Sequence, residues 1–123
     1  MGKRERFEDL IVWQKSMDLA VTVYHICQKG ALSKDWGLRD QLRRAAISVP
    51  ANIAEGYERG SRKEYIQFLK IAKGSIGELR CLFQLANRVE HIESQTATPL
   101  IENSAEVSRI LKAMMRSLEE KKD

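Results

Sequence analysis

Three things that many catalytic or secreted proteins have are scarce in this chain. No apolar run approaches the roughly 20 residues a membrane helix needs, and the Met1 to Arg6 segment has positive charge without the apolar core or small-residue cleavage site of a signal peptide. A cytoplasmic protein with no membrane association is the expectation. Histidine occurs only twice, at His25 and His91, and neither stands in a serine, cysteine or carboxylate constellation, so nucleophilic and acid–base catalysis is poorly supplied. The two cysteines, Cys27 and Cys81, lack metal-motif spacing, and both fall at apolar-periodic positions where cysteine acts as a small hydrophobe. Glu-x-x-His is missing as well, and Gly74 and Gly77 follow no strand and build no phosphate loop. No catalytic residue, metal or cofactor is expected.

What remains is a chain of 123 residues, 43% hydrophobic and 31% charged, with a formal net charge of +4. That is one globular domain over 1–123, small enough for oligomerisation to add to its stability, with a mildly basic balance that permits a nucleic-acid partner. There is no strand pattern and no repeat. Between Asp9 and Lys29 apolar residues recur at Leu10, Trp13, Met17, Ala20, Tyr24 and Cys27, with a second line at Val12, Leu19, Val23 and Ile26. The combined face is wider than one bundle core requires, which points to packing against another subunit. Gly30 supplies a left-handed stop.

Asp35 is the expected N-cap of a second helix with core positions Leu38, Leu42, Ala45 or Ala46, Val49 and Ile53. Pro50 lacks an amide hydrogen and crowds the carbonyl of residue 46, so a single kinked helix is predicted. Ser61 with Glu64 has capping-box spacing and opens a third helix, Arg62 to Val89, with its core at Tyr65, Phe68, Leu69, Ala72, Ile76, Leu79, Phe83 and Ala86. Gly74 and Gly77 inside it suggest close approach of another helix backbone. Thr98-Pro99 reads as cap and first residue of a fourth helix that frays after Leu118. The fold class is all-α, an antiparallel up-down-up-down four-helix bundle with its second helix kinked near Pro50.

Two stripes remain. Arg44, Ser48, Asn52 and Glu55 share one face of the second helix, and Ser75 and Glu78 pair similarly on the third. Beside the core lines these groups need partners, so a register-fixing polar network is expected, with a ligand pocket as the alternative. Lys63, Lys70, Lys73 and Arg80 form a slowly drifting basic line on the third helix. Arg39 and Arg43 add a one-turn pair on the second, and Arg59 and Arg62 lie in the intervening loop. Glu58, Glu64 and Asp40 interrupt this field, and Asp40 stands at pairing distance from Arg44, so a merely solvated face competes with a phosphate-binding one.

Several motifs together carry a family resemblance: Phe7-Glu8-Asp9-Leu10 with Trp13, Gly37-Leu38, Gln41-Leu42-Arg43-Arg44-Ala45, and the run Ser48-Val49-Pro50-Ala51-Asn52-Ile53-Ala54-Glu55-Gly56. Phe68, Ala72, Gly74-Ser75 and Glu78-Leu79 extend it. With these residues the chain resembles the small four-helix-bundle proteins encoded in intervening sequences of 23S ribosomal RNA genes. The resemblance implies a ring-shaped homopentamer. The family is also similar in fold to accessory proteins of diversity-generating retroelements, which form basic barrels and bind a reverse transcriptase and nucleic acid; that link is analogy of fold alone.

Three functional readings follow. The leading one is a non-enzymatic oligomeric module binding structured RNA, or other nucleic acid, through Arg39, Arg43, Arg59, Arg62, Lys63, Lys70, Lys73 and Arg80, by phosphate and shape. The second is a scaffold whose surface docks a protein partner. The third is an enzyme or small-ligand binder using Asn52, Glu55, Ser75 and Glu78.

Overall fold

The computed structural model describes residues 6–121, and the readings placed on Met1 to Glu5 and on Lys122 and Asp123 lie outside them. Every regular element among the described residues is helical. A short 3-10 turn, Phe7–Asp9, leads into α1 (Ile11–Ile26), α2 (Gly30–Lys34), α3 (Trp36–Glu58), α4 (Arg62–Arg88) and α5 (Ser94–Glu120).

Local chemistry sets most of the boundaries. Gly30 takes φ +57 and turns the chain after α1. The Asp35 carboxylate accepts from the Leu38 amide at 3.2 Å and caps α3. Ser61 Oγ accepts from the Glu64 amide at 3.1 Å and caps α4. Glu64 itself lies 3.7 Å from the Arg59 guanidinium, so its carboxylate is engaged across the loop. Pro50 lies inside α3, which continues as one 23-residue helix.

The start of α5 differs from the Thr98-Pro99 reading. The amides of Thr96 and Ala97 already bond the Glu93 carbonyl, at 3.0 and 2.9 Å. Asn87 Nδ2 clamps the turn by donating to the Ile92 carbonyl at 3.1 Å and to Ser94 Oγ at 3.2 Å. With Ala97 buried against the bundle, the helix starts at Ser94, and Pro99 forfeits only one bond near its beginning. The helix also persists through Glu119 and Glu120, where fraying was expected.

α3 packs against α4, α4 against α5, and α1 against both α3 and α5, closing a helical bundle on one core. Phe83, Leu42, Ile53, Leu69, Ile76, Leu79 and Leu111 are fully enclosed, with Leu32 of α2 plugging one end. In α1 the core stripe is Val12, Ser16, Leu19 and Val23, so the second apolar line is the inward one. Of the first line, Ala20 and Cys27 are buried, whereas Met17 and Tyr24 are exposed, because a bundle core needs only a narrow stripe. Cys81 also departs from the core reading: it is exposed. The close-packed glycine is Gly56, where an added Cβ would stand 2.6 Å from Phe68 Cβ; at Gly74 and Gly77 nothing lies within 4 Å. No chain segment explains those two glycines from inside the monomer.

Candidate nucleic-acid interface

The eight cations singled out in the sequence do not form one surface. Arg39 is half-buried, 3.6 Å from Asp40 and 5.9 Å from the Trp36 ring centroid, with Nη1 donating to the Ser33 carbonyl at 3.1 Å. Arg43 lies 4.9 Å over the Tyr24 ring. The Nε atoms of both are buried without a hydrogen-bond partner among the described residues. Arg59 is tied to Glu55 at 2.7 Å and to Glu64 at 3.7 Å, and its guanidinium covers the Phe68 ring. The Glu55 hydrogen bond, foremost, raises its pKa further. Arg62 is half-buried at the start of α4. Arg39, Arg43 and Arg59 are thus occupied by contacts within the bundle.

Lys63, Lys70, Lys73 and Arg80 behave differently. Lys63, Lys70 and Arg80 are exposed and Lys73 half-buried, and none has an ion-pair partner among the described residues. They span about 25 Å of α4 at 1.5 Å per residue. Lys70, Lys73 and Arg80 each follow a buried residue, Leu69, Ala72 and Leu79, by one position, which sets them on one flank of the helix. Lys112 and Arg116 follow buried Leu111 and Met115 in the same way on α5. A hollow lined by Lys63, Ile66, Leu118 and Glu119 shows that α4 and α5 share this flank.

The sequence reading missed the α5 contribution. Arg109, Lys112 and Arg116 are exposed and unpaired among the described residues, and their three-and-four spacing was the available signal. Between Glu64 and Glu78 on α4, and between Glu106 and Glu119 on α5, there is no acid. The interruptions expected at Asp40 and Glu58 lie on α3, away from this flank. Asp40 pairs with Arg39, not with Arg44, which reaches Glu78 on α4 at 2.6 Å.

The polar stripe is brought together in part. Ser48 Oγ and Ser75 Oγ are 2.8 Å apart across α3 and α4, and Asn52 Nδ2 donates to Ser48 Oγ at 3.0 Å and to the Ser48 carbonyl at 2.8 Å. The bond goes to the carbonyl of residue 48, not to that of Ala46, which Pro50 leaves free. Glu55 stands apart, turned toward Arg59. Ser48, Asn52 and Ser75 satisfy one another and hold α3 against α4.

On the α1–α3 side lies a hollow of about 490 Å³ lined by Phe7, Trp13, Met17, Val21, Tyr24, Ile47, Pro50, Ala51 and Ala54, nearly all of it apolar. Phe7 meets Trp13 edge to face at 5.4 Å at one end. The Cys27 thiol, at the end of α1, is buried, which raises its pKa against the lowering pull of Arg43. The helix order places this hollow across the bundle from the α4–α5 flank.

A small helical bundle with one apolar side and one cationic side is the class of protein these features define. The chain belongs to the 23S rRNA-intervening sequence protein family, whose model matches residues 8–113. It is also similar to the crystal structure of a protein of unknown function from the S23 ribosomal protein family of Bacteroides thetaiotaomicron. The TM-score is 0.78 at 25% identity, over 85% of this chain and 98% of the other. No match was found among curated proteins. No helix among the described residues is long and apolar enough to cross a membrane.

Proposed function

We propose that this protein is a non-enzymatic, homo-oligomeric module of the cytoplasm that binds structured RNA through the α4–α5 flank. The observation that carries the reading is the set of seven cations, Lys63, Lys70, Lys73, Arg80, Arg109, Lys112 and Arg116, unpaired among the described residues on two adjacent helices. Phosphates recruit such cations by releasing condensed counterions, and a helix surface without stacking aromatics reads charge spacing and shape, not base identity. Arg39, Arg43 and Arg59 of the first set act as structural cations, held by contacts to the Ser33 carbonyl, the Tyr24 ring and Glu55. Five subunits is the number the family resemblance implies.

The bundle behind this surface is read as up-down-up-down. Contacts between Gly56 and Phe68, Ser48 and Ser75, and Arg44 and Glu78 run in opposite senses along α3 and α4. Lys15 with Glu106 at 3.4 Å supports a direct α1–α5 contact. A bend at Pro50 is expected from its missing amide and its ring.

The test is fluorescence anisotropy of a labelled structured RNA across a salt series, with duplex DNA as competitor. Binding at micromolar concentration or tighter, falling steeply with salt, is expected. Replacing Lys70, Lys73 and Arg80 by alanine should lower the slope of log affinity against log salt by roughly one for each phosphate no longer neutralised. Absence of binding at low salt overturns the reading. The apolar α1–α3 hollow would then favour the second one, a scaffold for a protein partner, recognised by binding that is insensitive to salt.

A further inference from the structure

The cations of the α4–α5 flank converge on one seam. Ser75 and Glu78, which reach Ser48 and Arg44 of α3, stand one position before the buried residues Ile76 and Leu79. Glu106, which reaches Lys15 of α1, stands one position before buried Val107. The preceding sides of α4 and α5 are thus turned to α3 and α1, and the following sides face each other across the seam between the two helices. From α4 the seam receives Lys70, Lys73, Gly77 and Arg80. Ser108, Lys112 and Arg116 answer from α5. The two helices run antiparallel, since Asn87 meets Ser94 at one end and Lys63 shares a hollow with Leu118 at the other. In that register Arg116 falls between Lys63 and Lys70, Lys112 stands beside Lys70, and Ser108 stands opposite Lys73. The cations form a straight line of about 25 Å from Lys63 to Arg80, supplied from both walls. Glu119 and Glu102 lie near its two ends, and Gly77 leaves its floor open, with nothing within 4 Å of a would-be Cβ.

We infer that this seam is a track for one extended strand of RNA, such as a loop or an end of a structured RNA, and not a surface for a duplex. The inference rests on the RNA reading of the same flank and names the form of RNA that it takes. Axes of packed helices lie roughly 8–10 Å apart, so lysine and arginine side chains from both walls reach one line between them. Each strand of a duplex winds away from a straight line after a few phosphates, and the line then crosses a groove. An extended strand keeps its phosphates on the line throughout, over a site of about 4 nucleotides or more. Attraction comes from phosphate neutralisation along that strand. The bases find no stacking platform, because α5 has no aromatic residue and Phe83, the one aromatic residue of α4 beyond Lys70, is buried. They turn to solvent and their sequence goes unread. Gly77 lets the strand approach the helix backbone, and a larger side chain there obstructs the track without changing any charge.

The test uses the full chain and fluorescence anisotropy. A labelled, unstructured RNA strand of about 12 nucleotides is compared with the same strand annealed to its complement. The single strand is expected to bind about fivefold tighter or more, although the duplex carries twice the charge. Gly77→Leu, and Ser108→Leu on the facing wall, should each weaken strand binding about tenfold in protein whose thermal melt shows it folded. A duplex bound as tightly as the strand, or tighter, overturns the track and leaves RNA binding by the flank standing. Unchanged strand affinity in the folded variants overturns the track as well. If neither RNA binds at low salt, the RNA reading itself fails and the track fails with it.

Discussion

Gly56 is the residue at which a single methyl group should matter most. Its missing Cβ lets α3 approach the Phe68 backbone stub and the Tyr65 ring, and Cβ at 2.6 Å from Phe68 Cβ leaves no side chain free to yield. Gly56→Ala should therefore cost roughly 1–3 kcal/mol, as overpacking generally does. The check is a thermal melt, with a midpoint lower by about 4 °C for each kcal/mol. Asn52→Ala removes two hydrogen bonds to Ser48 and should lower stability by about 1 kcal/mol. Glu55→Ala, which breaks only the half-exposed pair with Arg59, should change it by less. Asp35 carries a pH dependence. The Leu38 amide, and after it the His91 ring at 3.0 Å, hold its carboxyl pKa below the ordinary value. The unfolded chain then takes up this proton at higher pH than the folded one. The contribution is complete above the ordinary carboxylate pKa and fades as pH falls through the lowered folded value. Melting midpoints measured from pH 6 to pH 2 should decline less steeply in Asp35→Asn than in the unaltered chain.

Among the elements, α3 and α4 were legible because period and caps agreed. Leu42, Ala45, Val49 and Ile53, and Leu69, Ala72, Ile76, Leu79, Phe83 and Ala86, are the buried lines that the spacing predicts, and Asp35 and Ser61 cap them. α1 was ambiguous for a physical reason. Two apolar lines ran through it, and periodicity does not say which of them meets the core and which meets a hollow. The onset of α5 was hidden because Thr98-Pro99 imitates a helix start, while the real one depends on Asn87 reaching over from α4. Glycine was misread in location: the contact inferred at Gly74 and Gly77 is met inside the chain at Gly56. Gly77→Ala should stabilise the bundle by about 0.5–1 kcal/mol, since no neighbour opposes the new methyl group. Gly74→Ala should stabilise it equally in a denaturant titration, whereas Gly56→Ala should destabilise it.

For the whole molecule, the distribution of charge between the two sides of the bundle matters more than the net +4. Counting cations along the sequence weighted Arg39, Arg43, Arg59 and Arg62 equally with Lys70 and Lys73, since a guanidinium folded over Tyr24 or Phe68 is spelled the same way as a free one. α5 went unread because its cations have no motif and gain meaning only beside α4. The resulting prediction sets two triple variants against each other. Arg109→Ala, Lys112→Ala and Arg116→Ala together remove three exposed charges from the α4–α5 flank, with no ion pair broken among the described residues. They should lower RNA affinity at 100 mM salt by about tenfold or more and flatten the salt dependence by about two to three in log–log slope, with the melting midpoint unchanged. Arg39→Ala, Arg43→Ala and Arg59→Ala remove the same charge but dismantle contacts with Trp36, Tyr24, Phe68 and Glu55. They should lower the melting midpoint while leaving the salt slope of the remaining folded protein intact. An equal fall in slope for both variants would mean that RNA senses only total charge, and the α4–α5 flank would then have no special standing.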